Sequence, residues 1–379
     1  MSDAITPFTL DVPEAALDDL RRRLDQTRWP EKETVDDWTQ GSPLARVQAL
    51  CAHWRNGYDW RRAEARLNAL GQFKTEIDGL GIHFLHVRSK HENAMPLLIT
   101  HGWPGSVMEF MKVIGPLTDP EAHGGKAEDA FHVIAPSLPG YGFSDKPAVH
   151  GWGVPKIAMT WIQLMARLGY TRWCAQGGDW GSAVTTAIGV IRPEGCLAIH
   201  VNMPLVFPGL QEAGDLTDKE KSYLAGLTYY QEKDSGYSKQ QSTRPQSVGY
   251  GLVDSPAAQA AWIYEKLWAW TDNKGAPEDV LTQDEMLDNI MMYWLPATGA
   301  SSARLYWESF GTFSSTKLEL PAGASIYPKE IFRASRRWAE KTWSNIIHWG
   351  EMEKGGHFAA WEQPELFVGE IRECFGKVR

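Results

Sequence analysis

Apolar residues recur every three to four positions in the first seventy residues, and every two positions soon after. Leu17, Leu20 and Leu24 follow Pro13 at helical spacing, and acidic neighbours make Arg21-Arg22-Arg23 the solvated face of that helix. Ser42-Pro43 opens a second helix with Leu44, Val47, Leu50 and Trp54 on one side, and Asp59 to Leu70 fits a third. From Phe73 the period is two. Phe73 to Ile77, a turn at Asp78-Gly79, and Ile82 to Val87 predict a hairpin. Leu97 to Thr100 and His132 to Ala135 are short apolar runs suited to strands buried on both faces. A helix carrying Ile157, Trp161, Leu164, Met165 and Leu168 follows, then strand patterns at Arg172 to Gln176 and Leu197 to Val201.

This alternation predicts an α/β fold with a mostly parallel central sheet flanked by helices. Residues 207–312 interrupt it. They are rich in helix formers and aromatics and lack a strand pattern, which predicts a helical lid. The alternation resumes with a strand at Ala324 to Tyr327, a helix near Arg336 to Lys341, a strand at Ile346 to Trp349 and a helix from Pro364 to Cys374. The expected organisation is a helical wrapping segment over 1–75, a core over 76–206 and 313–379, and the lid between the core parts. Internal repeats and low-complexity tracts are absent from the sequence.

Composition narrows the classes. The 379 residues suffice for a large core carrying an insertion, and a net charge of −9 argues against a nucleic-acid partner. Cys51, Cys174, Cys196 and Cys374 are scattered, without a C-x-x-C, and read as reduced core thiols. The N-terminus lacks a basic-then-apolar leader, and no window approaches the ~20 apolar residues that span a bilayer. The expectation is a soluble cytoplasmic protein.

The chemistry concentrates at Gly177-Gly178-Asp179-Trp180-Gly181, between a strand pattern and a helix pattern. Strand, small-residue turn and helix make the nucleophile elbow of α/β-hydrolases, with aspartate at the tip in place of serine. A carboxylate is a poor nucleophile toward esters but can displace a leaving group from an sp3 carbon, so epoxides or alkyl halides are the expected substrates, through an alkyl ester on Asp179. His101-Gly102-Trp103-Pro104-Gly105-Ser106 exits an earlier strand, and the N–H groups of Trp103 and Trp180 could form an oxyanion hole. Ester hydrolysis needs a general base. Of eleven histidines, His83, His86, His200 and His348 fall on strand patterns and His91 in a polar turn. His357 sits in a glycine-rich loop beyond the last strand, in the expected order nucleophile, acid, histidine. Glu330, just past the strand ending at Tyr327, is the expected acid, while Glu351 and Glu353 are expected to face solvent.

Gly-Gly-Asp-Trp-Gly, His-Gly-Trp-Pro-Gly-Ser and the Gly355 to Glu365 run together resemble the α/β-hydrolase-fold epoxide hydrolases of the microsomal type. The N-terminal Phe8-Thr9-Leu10, Arg28-Trp29-Pro30, Tyr58-Asp59-Trp60 and Gln72-Phe73-Lys74 resemble the segment that wraps the core in that family, so the likeness spans nearly the whole chain. The family's membrane-anchored members carry an N-terminal transmembrane helix, a pattern this sequence lacks. The resemblance implies two lid tyrosines on the epoxide oxygen: Tyr237, after Ser235-Gly236 and before Thr243-Arg244-Pro245, and Tyr306, after Ser301-Ser302-Ala303-Arg304-Leu305. Without it, Tyr229, Tyr230, Tyr250, Tyr264 and Tyr293 would be equal candidates. It implies an epoxide hydrolase that forms vicinal diols from small hydrophobic epoxides, with no cofactor, no metal, and no nucleic-acid or membrane partner, a homodimer being left open. A haloalkane dehalogenase would share the elbow and the histidine but bind halide through tryptophan or asparagine N–H groups. A non-catalytic protein on the same fold is the third reading.

Overall fold

The computed structural model describes residues 3–209, 214–312 and 316–379. Residues 1–2, 210–213 and 313–315 lie outside the described residues, and with them the first residues expected for the wrapping segment and parts of both expected lid boundaries. Among the described residues, nine strands form one sheet: β1 (Ile5–Phe8), β2 (Gln72–Ile77), β3 (Leu80–Val87), β4 (Met95–Thr100), β5 (Phe131–Pro136), β6 (Trp173–Gly177), β7 (Cys196–Val201), β8 (Ala322–Ile326) and β9 (Ile346–Glu351). Their order is β1-β2-β3-β5-β4-β6-β7-β8-β9. The pairs β1-β2, β2-β3 and β3-β5 are antiparallel, and along the order from β5 through β4 to β9 all pairs are parallel.

The parallel strands read as apolar runs because both faces are covered. Helices Val154–Arg167 and Trp180–Ile191 pack against each other beside them. Between β7 and β8 the described residues hold helices without a strand. One element departs from the helical expectation over 1–75. Ile5–Phe8 is an edge strand, antiparallel to β2 with Ile5 opposite Thr75 and Phe8 opposite Gln72. Pro7 within it fits an edge position, where a missing N–H costs no ladder bond.

The three early helices, Glu14–Asp25, Leu44–Asn56 and Trp60–Asn68, bury Leu17, Leu20, Leu24, Val47, Leu50, Trp54 and Leu67. They also grip helix Gln283–Trp294. The Tyr58 hydroxyl donates to Asp288 at 2.8 Å, Arg62 donates to Asp284 at 2.9 Å and to Asp288 at 3.0 Å, and His53 Nε2 lies 2.7 Å from Asp284. Asp288 is buried, so its charge is balanced by this N-terminal segment. Leu50 has no solvent exposure. Leu50→Ala is therefore expected to lower unfolding stability by ~2–5 kcal/mol, the range for a buried leucine that leaves a cavity. Urea denaturation followed by circular dichroism measures it. A loss under ~0.5 kcal/mol, typical of surface changes, would mean that this face adds nothing to the core.

Candidate active site

The parallel register brings the two glycine-rich turns together. Thr100, the last residue of β4, is paired with Gly177, the last of β6, so the turns that follow start side by side. Asp179 sits at the tip of the second with φ 51° and ψ −127°. A non-glycine residue pays on the order of 1–3 kcal/mol for such a conformation. Crowding holds it there. A Cβ on Gly181 would meet the Thr100 carbonyl, and one on Gly102 would meet the Asp179 carboxylate. The glycines are what allow the first turn to lie against the nucleophile candidate.

The Trp103 N–H donates to Asp179 Oδ1 at 2.8 Å. The other oxygen, Oδ2, lies 3.3 Å from His357 Nε2. His357 Nδ1 is 2.6 Å from Glu330 Oε1, which also accepts from the Ile331 N–H at 2.7 Å. The structure thus brings Asp179, His357 and Glu330 into one line. Burial works to lower the His357 pKa. The charges of Glu330 and Asp179 and the hydrogen bonds to both outweigh it and hold the imidazole well above its ordinary value. The arrangement thus favours the protonated ring.

The expected oxyanion turn is braced from below and above. His101 Nδ1 donates to the Gly102 carbonyl at 2.9 Å and Nε2 accepts from the Leu138 N–H at 3.2 Å. Burial pushes its pKa down to about 4, so this neutral ring is a strut. From helix Gln283–Trp294, Asn289 donates to the Pro104 carbonyl at 2.8 Å and Tyr293 to the Gly105 carbonyl at 2.6 Å. Trp180, carrying the other expected N–H donor, is the first residue of helix Trp180–Ile191.

Above Asp179 lies a cavity of about 60 Å3 lined by Tyr230, Tyr237, Tyr306 and apolar side chains including Met203, Leu205 and Phe332. Both expected tyrosines are therefore at the site. The Tyr237 ring stacks on Trp103 at 4.8 Å between centroids, and Tyr306 meets Trp180 edge-on at 4.8 Å. Burial first, with the Asp179 charge adding to it, pushes both phenols well above 10, so they are neutral donors. Tyr230, whose hydroxyl is 3.0 Å from that of Tyr237, was indistinguishable in sequence from other lid tyrosines. Of those, Tyr229 and Tyr250 are exposed, Tyr264 donates to Glu278, and Tyr293 holds the Gly105 carbonyl. His83 is tied to Ser137 and Gln72, His86 to Tyr170, His200 to Ser325 and His348 to Glu370, all away from Asp179. Glu351 and Glu353 are exposed, as expected.

Other participants left no local signal. The His357 N–H donates to the Trp270 carbonyl at 2.9 Å, at the end of helix Pro256–Trp270. Gly355 donates to Asp272 at 2.9 Å, and Glu362 accepts from Asp272 N–H and Phe358 N–H at 2.7 and 3.0 Å. The histidine loop is thereby fastened to the helical region. Glu109 also lies close to Asp179 and His357.

Known proteins resemble this chain over nearly its whole length. Residues 5–110 match the family described as the epoxide hydrolase N terminus, and residues 95–247 match the α/β-hydrolase fold. A Stigmatella aurantiaca (strain DW4/3-1) protein, provisionally named an epoxide hydrolase, is 62% identical over 376 residues, covering 99% of this chain and 86% of its own. Epoxide hydrolase 1 of Sus scrofa is 34% identical over 99% of this chain and 89% of its own. Among solved structures, the juvenile hormone epoxide hydrolase of the silkworm Bombyx mori superposes with a TM-score of 0.91 at 29% identity, covering 99% of this chain and 95% of that one. The Aspergillus niger epoxide hydrolase gives 0.88 at 31% identity, covering 99% and 97%. No helix among the described residues is long and apolar enough to cross a membrane.

The charge line makes a prediction of its own. Asp179 raises the His357 pKa, so Asp179→Asn should let the imidazole lose its proton at lower pH than in the unaltered protein. Nitrogen chemical shifts of labelled histidine, followed through a pH titration, report it. An unmoved titration would mean that Glu330 alone sets the charge state.

Proposed function

This chain belongs to the epoxide hydrolase family and is an α/β-hydrolase-fold enzyme acting on epoxides, and from that premise we propose that Asp179 is its covalent nucleophile. The observation that carries the assignment is the Asp179 carboxylate, fixed between the Trp103 N–H at 2.8 Å and His357 Nε2 at 3.3 Å at the foot of a cavity roofed by phenols. The apolar part of that lining (Met203, Leu205, Phe207, Phe310, Ile331 and Phe332) favours small hydrophobic epoxides.

The reaction runs in two steps. An Asp179 oxygen attacks an epoxide carbon opposite its C–O bond. That bond breaks, its electron pair goes to the ring oxygen, and Tyr237 and Tyr306 donate hydrogen bonds to it, one of them giving up the proton. The ester on Asp179 is neutral. One of the two anions holding the His357 proton is then gone, and the imidazolium can return a proton toward the phenol pair. His357, now neutral and oriented by Glu330, takes a proton from water. The water oxygen bonds to the ester carbonyl carbon, the N–H groups of Trp103 and Trp180 stabilise the oxyanion, and the carbon–oxygen bond to the diol breaks, the departing oxygen taking up the water's second proton and leaving Asp179 as a carboxylate. No step calls for a metal or organic cofactor. The halide reading lacks this support, since phenols face Asp179 across the cavity.

A single turnover in heavy-oxygen water should place the label in the Asp179 carboxylate, read by peptide mass analysis, with none in the diol. Label in the diol alone would mean direct attack by water. With His357→Gln, ester-bound protein should accumulate and appear in the intact mass. Tyr306→Phe and Tyr237→Phe should each cost on the order of 2–4 kcal/mol in kcat/KM for ring opening, taking oxyanion donors as the guide. Because both serve one oxygen, the losses should not add. Full activity in Tyr237→Phe would transfer its role to Tyr230.

A further inference from the structure

Asp179 is shared by two cavities with different linings. The apolar one holds the tyrosines. The other, of about 10 Å3, is lined by Thr100, Gly102, Trp103, Glu109, Gln176, Asn202 and His357, among others. His357 belongs to the lining of the small cavity and not to that of the apolar one. Two of the small cavity's polar atoms, Thr100 Oγ1 and Gln176 Oε1, are buried without a protein hydrogen-bond partner. The Gln176 amide N–H, by contrast, is committed to Asn202 at 3.0 Å.

Resting on the assignment of Asp179 and His357 above, we propose that this small cavity is the site of the hydrolytic water, and that Glu109, Thr100 and Gln176 are its positioning residues. The volume suits one molecule, since a water needs about 10–15 Å3 of such space and two to four polar partners. The Thr100 hydroxyl can donate to the water, and Gln176 Oε1 can accept from it. Burial pushes the Glu109 carboxyl up to about 8, which favours its protonated form, able to donate and accept. The hydroxyls of the larger cavity, those of Tyr230, Tyr237 and Tyr306, are reserved for the epoxide oxygen, whereas the small one offers His357. Alkylation thus proceeds from one side of Asp179 and hydrolysis from the other. In the second step one proton of the water passes to His357 Nε2, its oxygen bonds to the ester carbon, and the bond to the diol oxygen breaks as that oxygen takes up the water's second proton.

The test is single-turnover kinetics of the full chain with styrene oxide, with alkylation followed by intact mass after rapid quench and hydrolysis by decay of that adduct. Thr100→Val removes a hydroxyl that has no protein partner while keeping its shape, and Glu109→Leu removes the carboxyl. Both are expected to alkylate within twofold of the unaltered enzyme and to hydrolyse the ester at least tenfold more slowly. Glu109→Gln, which keeps a donor and an acceptor, should recover most of the hydrolysis rate. Unchanged hydrolysis in both Thr100→Val and Glu109→Leu, or alkylation slowed as much as hydrolysis, would overturn the water site. If no ester forms even in His357→Gln, the failure lies with Asp179 as nucleophile, and the water site falls with it.

Discussion

Two carboxylates facing one imidazole in a nearly dry interior is the constraint on which the rest of this structure depends. Taking each ion out of water costs several kcal/mol, and attraction offsets that only where the geometry is tight. Here both ring nitrogens are used, the Ile331 N–H supports Glu330, and the Trp103 N–H supports Asp179. The three side chains come from the ends of β6, β8 and β9, so the parallel register must bring those ends level. The crowded glycines exist for the same reason, because the carboxylate has to be approached by main chain and not by side chains.

Much of this was legible in the chain. Strands buried on both faces announce themselves as apolar runs, and the glycine pattern around Asp179 reflects steric exclusion that a Cβ would violate. His357 and Glu330 could be placed because both follow strands, and strand ends are where open α/β sheets gather chemistry. β1 was not legible, since four half-exposed residues containing a proline carry no strand signal of their own and pair only because β2 presents an edge. Tyr230 and Glu109 were not legible either. Their positions follow from helix packing over the sheet, and periodicity cannot distinguish a tyrosine that lines a cavity from one that fills a core. Tyr237 and Tyr306 became visible through family resemblance alone.

The N-terminal segment acts at a distance from the chemistry. Its His53, Tyr58 and Arg62 hold Asp284 and Asp288 on a helix whose Asn289 and Tyr293 hold the Pro104 and Gly105 carbonyls. The turn that offers Trp103 to Asp179 is thus supported by a chain of polar contacts reaching back to residues that bear no chemistry.

The bond from the His357 N–H to the Trp270 carbonyl changes what opening of the helical cover would mean. Trp270 ends a helix of the cover, its ring touches both Tyr237 and His357, and the loop on either side of His357 is tied to Asp272 and Glu362. A displacement of this helix end would draw His357 and Tyr237 away from Asp179 together. The position of His357 and the placement of the helical cover over it are therefore coupled through the main chain and not only through side-chain packing.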